Sequence, residues 1–400
     1  MRPILKPGLR RLWHNGSTLQ LGIDPAAAVL VTGLRPAHAA VLDALDGRRT
    51  LEQVRLATSA AGQDLLDLLD DAGLLDDAAA RPGLAALPAA ERDRLLPDLA
   101  ALSMRSVDPG RPSRALAARR AARVLVRGAG RVGAQIVTLL AAAGVGRVVV
   151  DDPAEATAAD VSPGGLRLDD VGRPRALAAG AAMSRVRREW AGPRPRSDGG
   201  PGRFEADLVV LAPVGPPTVA PADCLELERR GGAHLLAGVR ETSGVVGPLV
   251  VPGVTACLHC QHLHRQGRDP AWPLLAMQLV RPRTIGHDPC EITLASLVAA
   301  LAAMQALTYL DGAAGHGTEP GRLSDNSDFA PPPATVDTEI FHTPTSASAS
   351  LPVTANGALE LAVPDWRIRR RSWPVHPNCP CRTARTAAAV VPGPPRDEDG

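Results

Sequence analysis

The sequence predicts an α/β protein, and two observations support this. Between Arg123 and Asp152 a short apolar strand, a glycine-rich turn, an apolar helix and a second apolar strand follow one another, over the roughly thirty residues that one βαβ unit needs. The composition, 45% hydrophobic but only 2% aromatic, predicts a core of aliphatic side chains. Four hundred residues of this composition can form two or three domains.

The turn has the spacing Gly128-x-Gly130-x-x-Gly133, between a strand predicted at Val124 to Val126 and a helix predicted at Ala134 to Ala143. In a Rossmann-type unit the first glycine permits the tight turn and the second lets the backbone approach a phosphate. The third lets helix and strand pack closely, and the helix N-terminus attracts an anion. The order of strand, glycine-rich turn, helix and second strand therefore predicts a nucleotide-binding site. A Rossmann-like domain whose glycines serve only packing is the alternative that the residues leave open.

The second strand of this unit, Val148 to Val150, ends at two acids, Asp151 and Asp152. An acid at this point ordinarily binds the ribose hydroxyls of a nucleotide. We predict that Asp152 has this role and that Asp151 points away.

The chain divides by composition into several segments. Short strands and three short helical patterns in the first eighty residues predict a winged-helix-like module, and the segment 192–203 reads as a flexible loop. The predicted division is 1–80, winged-helix-like module; 81–121, helical linker; 122–311, Rossmann domain; 312–357, disordered insertion; 358–383, C-terminal strand and zinc-binding segment; 384–400, disordered tail.

Charge and composition exclude several classes of protein. Lys6 is the only lysine, so a P-loop, which places a lysine on the phosphates, is excluded. A net charge of +2 does not predict a nucleic acid partner. No long apolar run and no signal-peptide pattern is present, so we expect a cytoplasmic protein without a membrane partner.

Four of the six cysteines form two close pairs, Cys257-x-x-Cys260 and Cys379-x-Cys381. Four thiolates match the tetrahedral preference of zinc, and such pairs in a reducing compartment indicate a metal. The second pair is short, so a nearby histidine such as His376 is an alternative ligand. Unpaired thiols in loops are the other interpretation.

The stretch "DDPAEATAADVSPGGLRLDDVGRPRALAAGAAMSRV", which follows the second strand, resembles the ThiF/MoeB adenylyltransferase superfamily, to which the ubiquitin-activating enzymes belong. Asp152 matches its ribose-binding acid, Asp160 stands where the family has Asn, and Arg175 replaces the Lys that touches the ATP phosphates. The resemblance implies ATP or a related adenine nucleotide, and a structural zinc on two cysteine pairs. It implies these nucleotide-binding residues: Gly128, Gly130, Arg131, Gly133, Asp152 and Arg175.

The departures from the family pattern concern catalysis. The phosphate-binding Arg of the family falls at Pro163 or Gly164, and its magnesium-binding Asp falls among Ala212, Pro213 and Val214. An apolar side chain cannot recruit the Mg²⁺ that neutralises phosphate charge. Nucleotide binding is therefore expected more firmly than turnover, and no catalytic residue is predicted.

The flanking segments resemble proteins of ribosomal peptide modification. "ILKPGLRRLW", "ALDGRRTLEQV" and "LLDLLDDAGLLDD" are similar to a leader-peptide recognition domain, which takes up a peptide as an added strand. "DPAWPLLAMQL" and "DWRIRRRSWPVHPNCPC" look like the cyclodehydratase-associated ThiF-like proteins of azoline pathways. The resemblance implies that the chain binds a precursor peptide and delivers it to a YcaO-type or other modification enzyme. It also implies a homodimer, the usual assembly of the superfamily.

Three rival functions are weighed against this one. An active ThiF-type adenylyltransferase acting on a peptide or carrier-protein C-terminus is the main alternative. An NAD-dependent oxidoreductase is disfavoured because no catalytic set follows the Rossmann unit. DNA binding by residues 1–80 is disfavoured because ten acids outnumber eight basic residues there. Two further hypotheses are weaker. Cys290 is a thioester-forming nucleophile in the first, and Arg367 with Arg369 to Arg371 contacts an acidic peptide or partner protein in the second.

Overall fold

The computed structural model describes residues 1–25, 28–187, 205–281, 283, 286–313, 338–340, 351–363 and 366–381. The predicted loop 192–203, the predicted tail and most of the predicted insertion lie outside the described residues. The strands are β1 (Pro3–Leu5), β2 (Arg11–Asn15), β3 (Thr18–Leu21), β4 (Val29–Val31), β5 (Leu75–Asp77), β6 (Arg123–Arg127), β7 (Arg147–Asp151), β8 (Leu208–Leu211), β9 (His234–Arg240), β10 (Ser243–Val250), β11 (Thr338–Ile340), β12 (Gly357–Ala362) and β13 (Arg367–Ser372).

Helices alternate with these strands in an α/β arrangement. They are α1 (Pro36–Ala44), α2 (Leu51–Leu56), α3 (Ala60–Asp71), α4 (Pro82–Ala85), α5 (Ala89–Ser103), α6 (Arg111–Ala121), α7 (Gly133–Ala142), α8 (Arg175–Val186), α9 (Pro221–Arg229), α10 (Leu258–Gln266), α11 (Trp272–Leu279) and α12 (Ile292–Ala313). The chain forms two compact units, the first from 1–118 with 310–350 and the second from 119–309 with 351–400.

The first unit contains an antiparallel sheet in the order β11-β4-β3-β2 and a separate β1-β5 pair. Helices α1, α2 and α3 fall on the three predicted helical patterns. Helix α2 begins with a capping box: Gln53 N–H donates to Thr50 Oγ1 over 3.2 Å, and Thr50 N–H donates to Gln53 Oε1 over 2.9 Å. Leucines and valines from strands and helices form one buried core.

The segment predicted as a helical linker consists of α4, α5 and α6. These helices have a small buried cluster of their own, made of Leu87, Leu95, Leu99 and Leu116. Burial of these aliphatic side chains holds the helices together, since their apolar area is removed from water.

The second unit is built on a seven-stranded sheet in the order β13-β12-β10-β9-β8-β6-β7. Strands β7, β6, β8 and β9 are parallel, and β10, β12 and β13 extend the sheet antiparallel. The predicted unit β6-α7-β7 is confirmed, with Val124 paired to Val148 and Val126 to Val150. The C-terminal segment contains two strands, where the sequence had suggested one.

Helix α12 packs on this sheet, because a side chain at Gly244 of β10 would lie 2.5 Å from Val298 Cγ2. Within the described residues its segment Ile292–Gly312 is long and apolar enough to cross a membrane, with a mean hydropathy of 1.6 and 39% of the window buried. Length and composition alone are weak evidence for a span, and the contact with β10 gives the helix a place in the core.

Candidate functional site

The glycine-rich turn joins β6 to α7 and is packed against the end of β8. Gly128 has φ +94°, and a side chain there would lie 2.0 Å from the carbonyl oxygen of Ala212. A side chain at Gly133 would lie 1.9 Å from the Gly128 carbonyl oxygen. Both glycines are therefore required by contacts within the protein.

The middle glycine faces protein atoms as well. A side chain at Gly130 would lie 2.7 Å from Val214 Cγ2 and 3.3 Å from Asp160 Oδ1. Val214 belongs to the segment that replaces the family's magnesium-binding acid. An apolar side chain thus lies beside the backbone that would approach a phosphate.

The two neighbouring acids at the end of β7 have different surroundings. Asp152 is buried: its carboxylate accepts hydrogen bonds from Ala129 N–H over 2.8 Å and Ala154 N–H over 3.0 Å. Asp151 is exposed and lies 3.5 Å from the Arg127 guanidinium. Asp152 is thus the acid beneath the turn, and its carboxylate holds the turn's backbone in place.

Arg175, at the start of α8, is enclosed between two carboxylates. Its Nε donates to Asp160 Oδ2 over 3.0 Å, and its Nη1 lies 3.6 Å from Asp152 Oδ2. Asp160 also accepts hydrogen bonds from the amide and hydroxyl of Thr157, each over 2.9 Å. The cluster carries one positive and two negative charges, which opposes a further anion.

The other residues predicted for the nucleotide are also occupied. The guanidinium of Arg131 donates to the Ala159 carbonyl over 2.6 Å and to the Cys290 carbonyl over 2.8 Å. Pro163 and Gly164 line a separate surface cavity with Arg185. The structure therefore brings Gly128, Gly130, Asp152 and Arg175 together around one turn, while Arg131 serves the backbone.

A cavity of about 430 Å³ adjoins the turn on one side. Gly128 and Arg127 line it, together with Asp223 and Glu226 of α9. Neither Asp152 nor Arg175 contributes to its wall, so it is not the space that the ribose-binding role of Asp152 requires.

The four paired cysteines converge at one point. Their sulfurs all lie within 4.8 Å of one another, and no histidine ring joins them among the described residues. Cys257 Sγ lies 3.7 Å from Cys260 Sγ and 3.5 Å from Cys379 Sγ, and Cys260 Sγ lies 3.5 Å from Cys381 Sγ. His376 contributes only its backbone N–H, 3.4 Å from Cys260 Sγ.

These distances fit a tetrahedral zinc ion. Zn–S bonds of about 2.3 Å at tetrahedral angles place sulfurs about 3.8 Å apart. The thiol of Cys257 donates to Cys260, which lowers the pKa of Cys260 to about 4 and raises that of Cys257. Burial raises the pKa of the other two thiols, Cys379 and Cys381. All four side chains are buried, the mark of a closed structural site.

The remaining cysteines do not resemble nucleophiles. Burial raises the pKa of Cys224 to about 12. Burial also raises the pKa of Cys290, although the Arg131 charge opposes the shift. Reactive cysteines need a lowered pKa, so the hypothesis of a thioester at Cys290 gains no support.

Sequence reasoning missed two features of the second unit. A side chain at Gly215 would lie 3.0 Å from the Asp288 carboxylate, so an acid from a distant segment approaches the residue after Val214. Arg265 on α10 lies between Trp272 and Trp373. The approach of Asp288 to Gly215 and the contact of Arg265 with Trp373 join segments far apart in the sequence, so no local pattern could have revealed them.

Fold and site together define a Rossmann-like α/β domain with a buried cluster of four cysteines. Residues 110–190, which contain the glycine-rich turn, Asp152, Asp160 and Arg175, match the model of the ThiF family. This segment of the chain is therefore similar to the ThiF family. A search of curated proteins finds no match.

Solved structures share this fold over nearly the whole chain. E. coli MccB with AMPCPP and MccA has a TM-score of 0.64 at 14% identity, covering 95% of this chain and 99% of that one. E. coli MccB with ATP has a TM-score of 0.63 at 14% identity, with the same coverage. PaaA has a TM-score of 0.58 at 16% identity, covering 92% and 99%. At these identities the likeness establishes the fold alone.

Proposed function

We propose that this chain is a ThiF-like protein of ribosomal peptide modification that binds a precursor peptide and delivers it to a separate, YcaO-type cyclodehydratase. The single observation that carries the proposal is the self-paired nucleotide site. Arg175 is held by Asp152 and Asp160, and Val214 lies where a metal-binding acid is expected. A domain whose nucleotide site is paired in this way suits presentation of a peptide to another enzyme better than catalysis of adenylyl transfer. The microcin C7 biosynthetic enzyme MccB, which shares the fold, has been solved in complex with N-formylated MccA, and this supports the proposal.

The first unit supplies the peptide-binding surface in this proposal, as a winged-helix-like recognition module. An extended peptide adds to a sheet edge through backbone hydrogen bonds. The edge of β4 already accepts an antiparallel strand, because Thr338 pairs with Val31 and Ile340 with Val29. The opposite edge, β2, is irregular between Trp13 and Asn15, which disfavours further pairing there.

Charge on α3 supports a peptide over DNA. Four aspartates of this helix are exposed: Asp64, Asp67, Asp70 and Asp71. A winged helix that binds DNA needs a basic surface to neutralise phosphates, and this acidic face repels them. A peptide with basic residues is the better match.

The cofactor part of the proposal is a structural zinc on Cys257, Cys260, Cys379 and Cys381, with only weak adenine nucleotide binding. The zinc ties the segment after β13 to the start of α10. A nucleotide phosphate must displace Asp160 from Arg175, which costs an ion pair. We further propose a cytoplasmic homodimer, as is usual in the superfamily.

The test is isothermal titration of the full chain with the precursor peptide encoded beside its gene. We expect binding, and weaker binding when Leu30 in the middle of β4 is changed to Arg, while Trp13→Ala on β2 binds as wild type does. Replacing Thr338, Glu339 and Ile340 by glycine should strengthen binding severalfold, because β11 then no longer competes for the edge. If wild type does not bind, the peptide-delivery role is lost.

An active adenylyltransferase is the second candidate, and the position of Asp288 favours it. Its carboxylate approaches Gly215, next to the place of the missing acid, and could hold a magnesium ion there. Pyrophosphate exchange with ATP and Mg²⁺ separates the two candidates. We expect no exchange above background; exchange that Asp288→Asn abolishes would establish the enzyme instead.

A further inference from the structure

Another cavity of the second unit differs from the cavity beside Gly128 in the charge of its wall. Its volume is about 460 Å³, and it is lined by residues of strands β9 and β10, of helices α10 and α11, and of the segment 216–218. Arg240, Arg265 and Arg283 line it with Glu241 and Asp288, a surplus of one positive charge. Most of the remaining wall is apolar.

Arg265 is the unusual member of this wall. Its guanidinium carbon lies 4.7 Å from the ring centroid of Trp272 and 5.6 Å from that of Trp373. Within the part of the chain that the structure describes, no carboxylate oxygen lies within 4.0 Å of it and its guanidinium has no hydrogen-bond partner. Burial, with the charges of Arg240 and other arginines, lowers its pKa to about 10, and it stays cationic at neutral pH.

Two acids near Arg265 are engaged by other arginines. Glu360 lies 3.6 Å from Arg240 and 3.3 Å from Arg371, and Asp288 lies 3.7 Å from Arg283. Stacking on two indoles stabilises a cation without using its N–H groups. Five donors of a half-buried guanidinium therefore lack a hydrogen-bond acceptor from the protein, which is costly unless a ligand or water supplies one.

The two indoles beside Arg265 are held in place, Trp272 by a hydrogen bond and Trp373 by burial. Trp272 Nε1 donates to His262 Nδ1 over 3.0 Å, and His262 Nε2 donates to the Val219 carbonyl over 2.9 Å. Trp373 is buried at 3% exposure. The guanidinium is thus preorganised, since neither ring is free to turn away.

We propose that this cavity binds a carboxylate carried on a largely apolar body, with the N–H edge of Arg265 as its anchor. A planar guanidinium matches a carboxylate through two parallel hydrogen bonds. One surplus positive charge fits a single negative charge better than a phosphate dianion. Leu236, Val245 and Leu279 then contact the apolar body. The site lies wholly in the second unit, so it does not depend on peptide capture by the first.

The test uses titration calorimetry on the full chain, with circular dichroism to confirm folding. The probes are N-acetylleucylleucine, its C-terminal amide, isocaproate and inorganic phosphate. We expect both carboxylates to bind at millimolar concentrations, and the amide at least about tenfold more weakly, because a charge-assisted hydrogen-bonded pair is lost. Tighter binding of N-acetylleucylleucine identifies a peptide C-terminus, and tighter binding of isocaproate a free acid; either supports a carboxylate site.

Variants locate the binding. Arg265→Gln should weaken carboxylate binding at least about tenfold, since both hydrogen bonds lose their charge. Arg265→Lys keeps the positive charge but cannot form two parallel hydrogen bonds, so it should lose less carboxylate affinity than Arg265→Gln. This variant tests the site if Arg265→Gln does not fold. Arg268→Gln, at an exposed arginine just beyond α10, should bind as wild type does. Equal binding of acid and amide, undiminished binding by Arg265→Gln, stronger binding of phosphate, or no carboxylate binding would each overturn the proposal.

Discussion

The cysteine cluster and the glycine-rich turn lie in the same unit but differ in completeness. Four sulfurs converge in the cluster at distances that suit one metal ion. At the turn, each group predicted for a nucleotide contacts protein: Gly130 faces Val214, and Arg175 faces two carboxylates. The cysteine cluster is therefore arranged to take a ligand, whereas the charged groups at the turn are paired with one another.

A zinc site and a phosphate site have different effects on the stability of the chain that contains them. A zinc ligand set stabilises the folded chain whatever the chain does, because metal binding and folding are coupled. A phosphate site must instead keep charges uncompensated, which costs stability without its ligand. If the chain does not catalyse adenylyl transfer, as proposed above, pairing Arg175 with Asp160 stabilises it without loss of function.

The largest expected effect is at the cysteine cluster. Cys381→Ser removes one of four ligands, and structural zinc binding corresponds to on the order of 10 kcal/mol in small zinc domains. We expect loss of a stoichiometric zinc, measured by mass spectrometry of the metal, and a strongly lowered Tm. Chelation of the wild type should lower the Tm in the same way.

Cys224→Ser is the matched control, since Cys224 is buried but lies outside the cluster. It should keep its zinc. The contrast between the cysteine cluster and the glycine-rich turn is wrong if the wild-type protein carries no zinc and its Tm does not change with a chelator.

The next effect concerns the turn itself. Gly133→Ala places a methyl group 1.9 Å from the Gly128 carbonyl oxygen, and backbone cannot move cheaply. We expect a loss of about 3 kcal/mol or more in the free energy of unfolding, measured by urea denaturation. Gly180→Ala within α8 meets nothing within 4 Å and should stabilise by roughly 0.5–1 kcal/mol, because alanine favours a helix. A mild effect at Gly133 would mean that the turn is looser than its packing implies.

The sequence predicted the parts of this site that are local. The unit β6-α7-β7 lies within one or two residues of its predicted bounds, because strand, turn and helix follow one another in the chain. The convergence of the cysteine pairs followed from ligand number and spacing.

The sequence could not predict which side chains and strands meet in the tertiary structure. Asp160 and Arg175 lie fifteen residues apart, and their ion pair depends on how the segment after β7 folds back onto α8. The contact of Val214 with Gly130 depends on β8 lying beside β6. The strand β11 falls in a segment predicted to be disordered, and its pairing with β4 is a long-range contact without a local signal.

The smallest expected effect concerns the affinity for ATP, and it tests whether the negative charges beside Arg175 keep a nucleotide from the turn. Asp160→Asn keeps an oxygen for the Thr157 amide but removes one of the two negative charges beside Arg175. ATP should then bind about tenfold more tightly, because the cluster becomes neutral and Arg175 is freer to meet a phosphate. Fluorescence titration with a labelled ATP analogue measures this. Asp151→Asn removes the same charge from an exposed neighbour that pairs with Arg127, and should change affinity little. If both variants act alike, the effect is general electrostatics; if neither acts, Val214 and not charge keeps the nucleotide from Gly130.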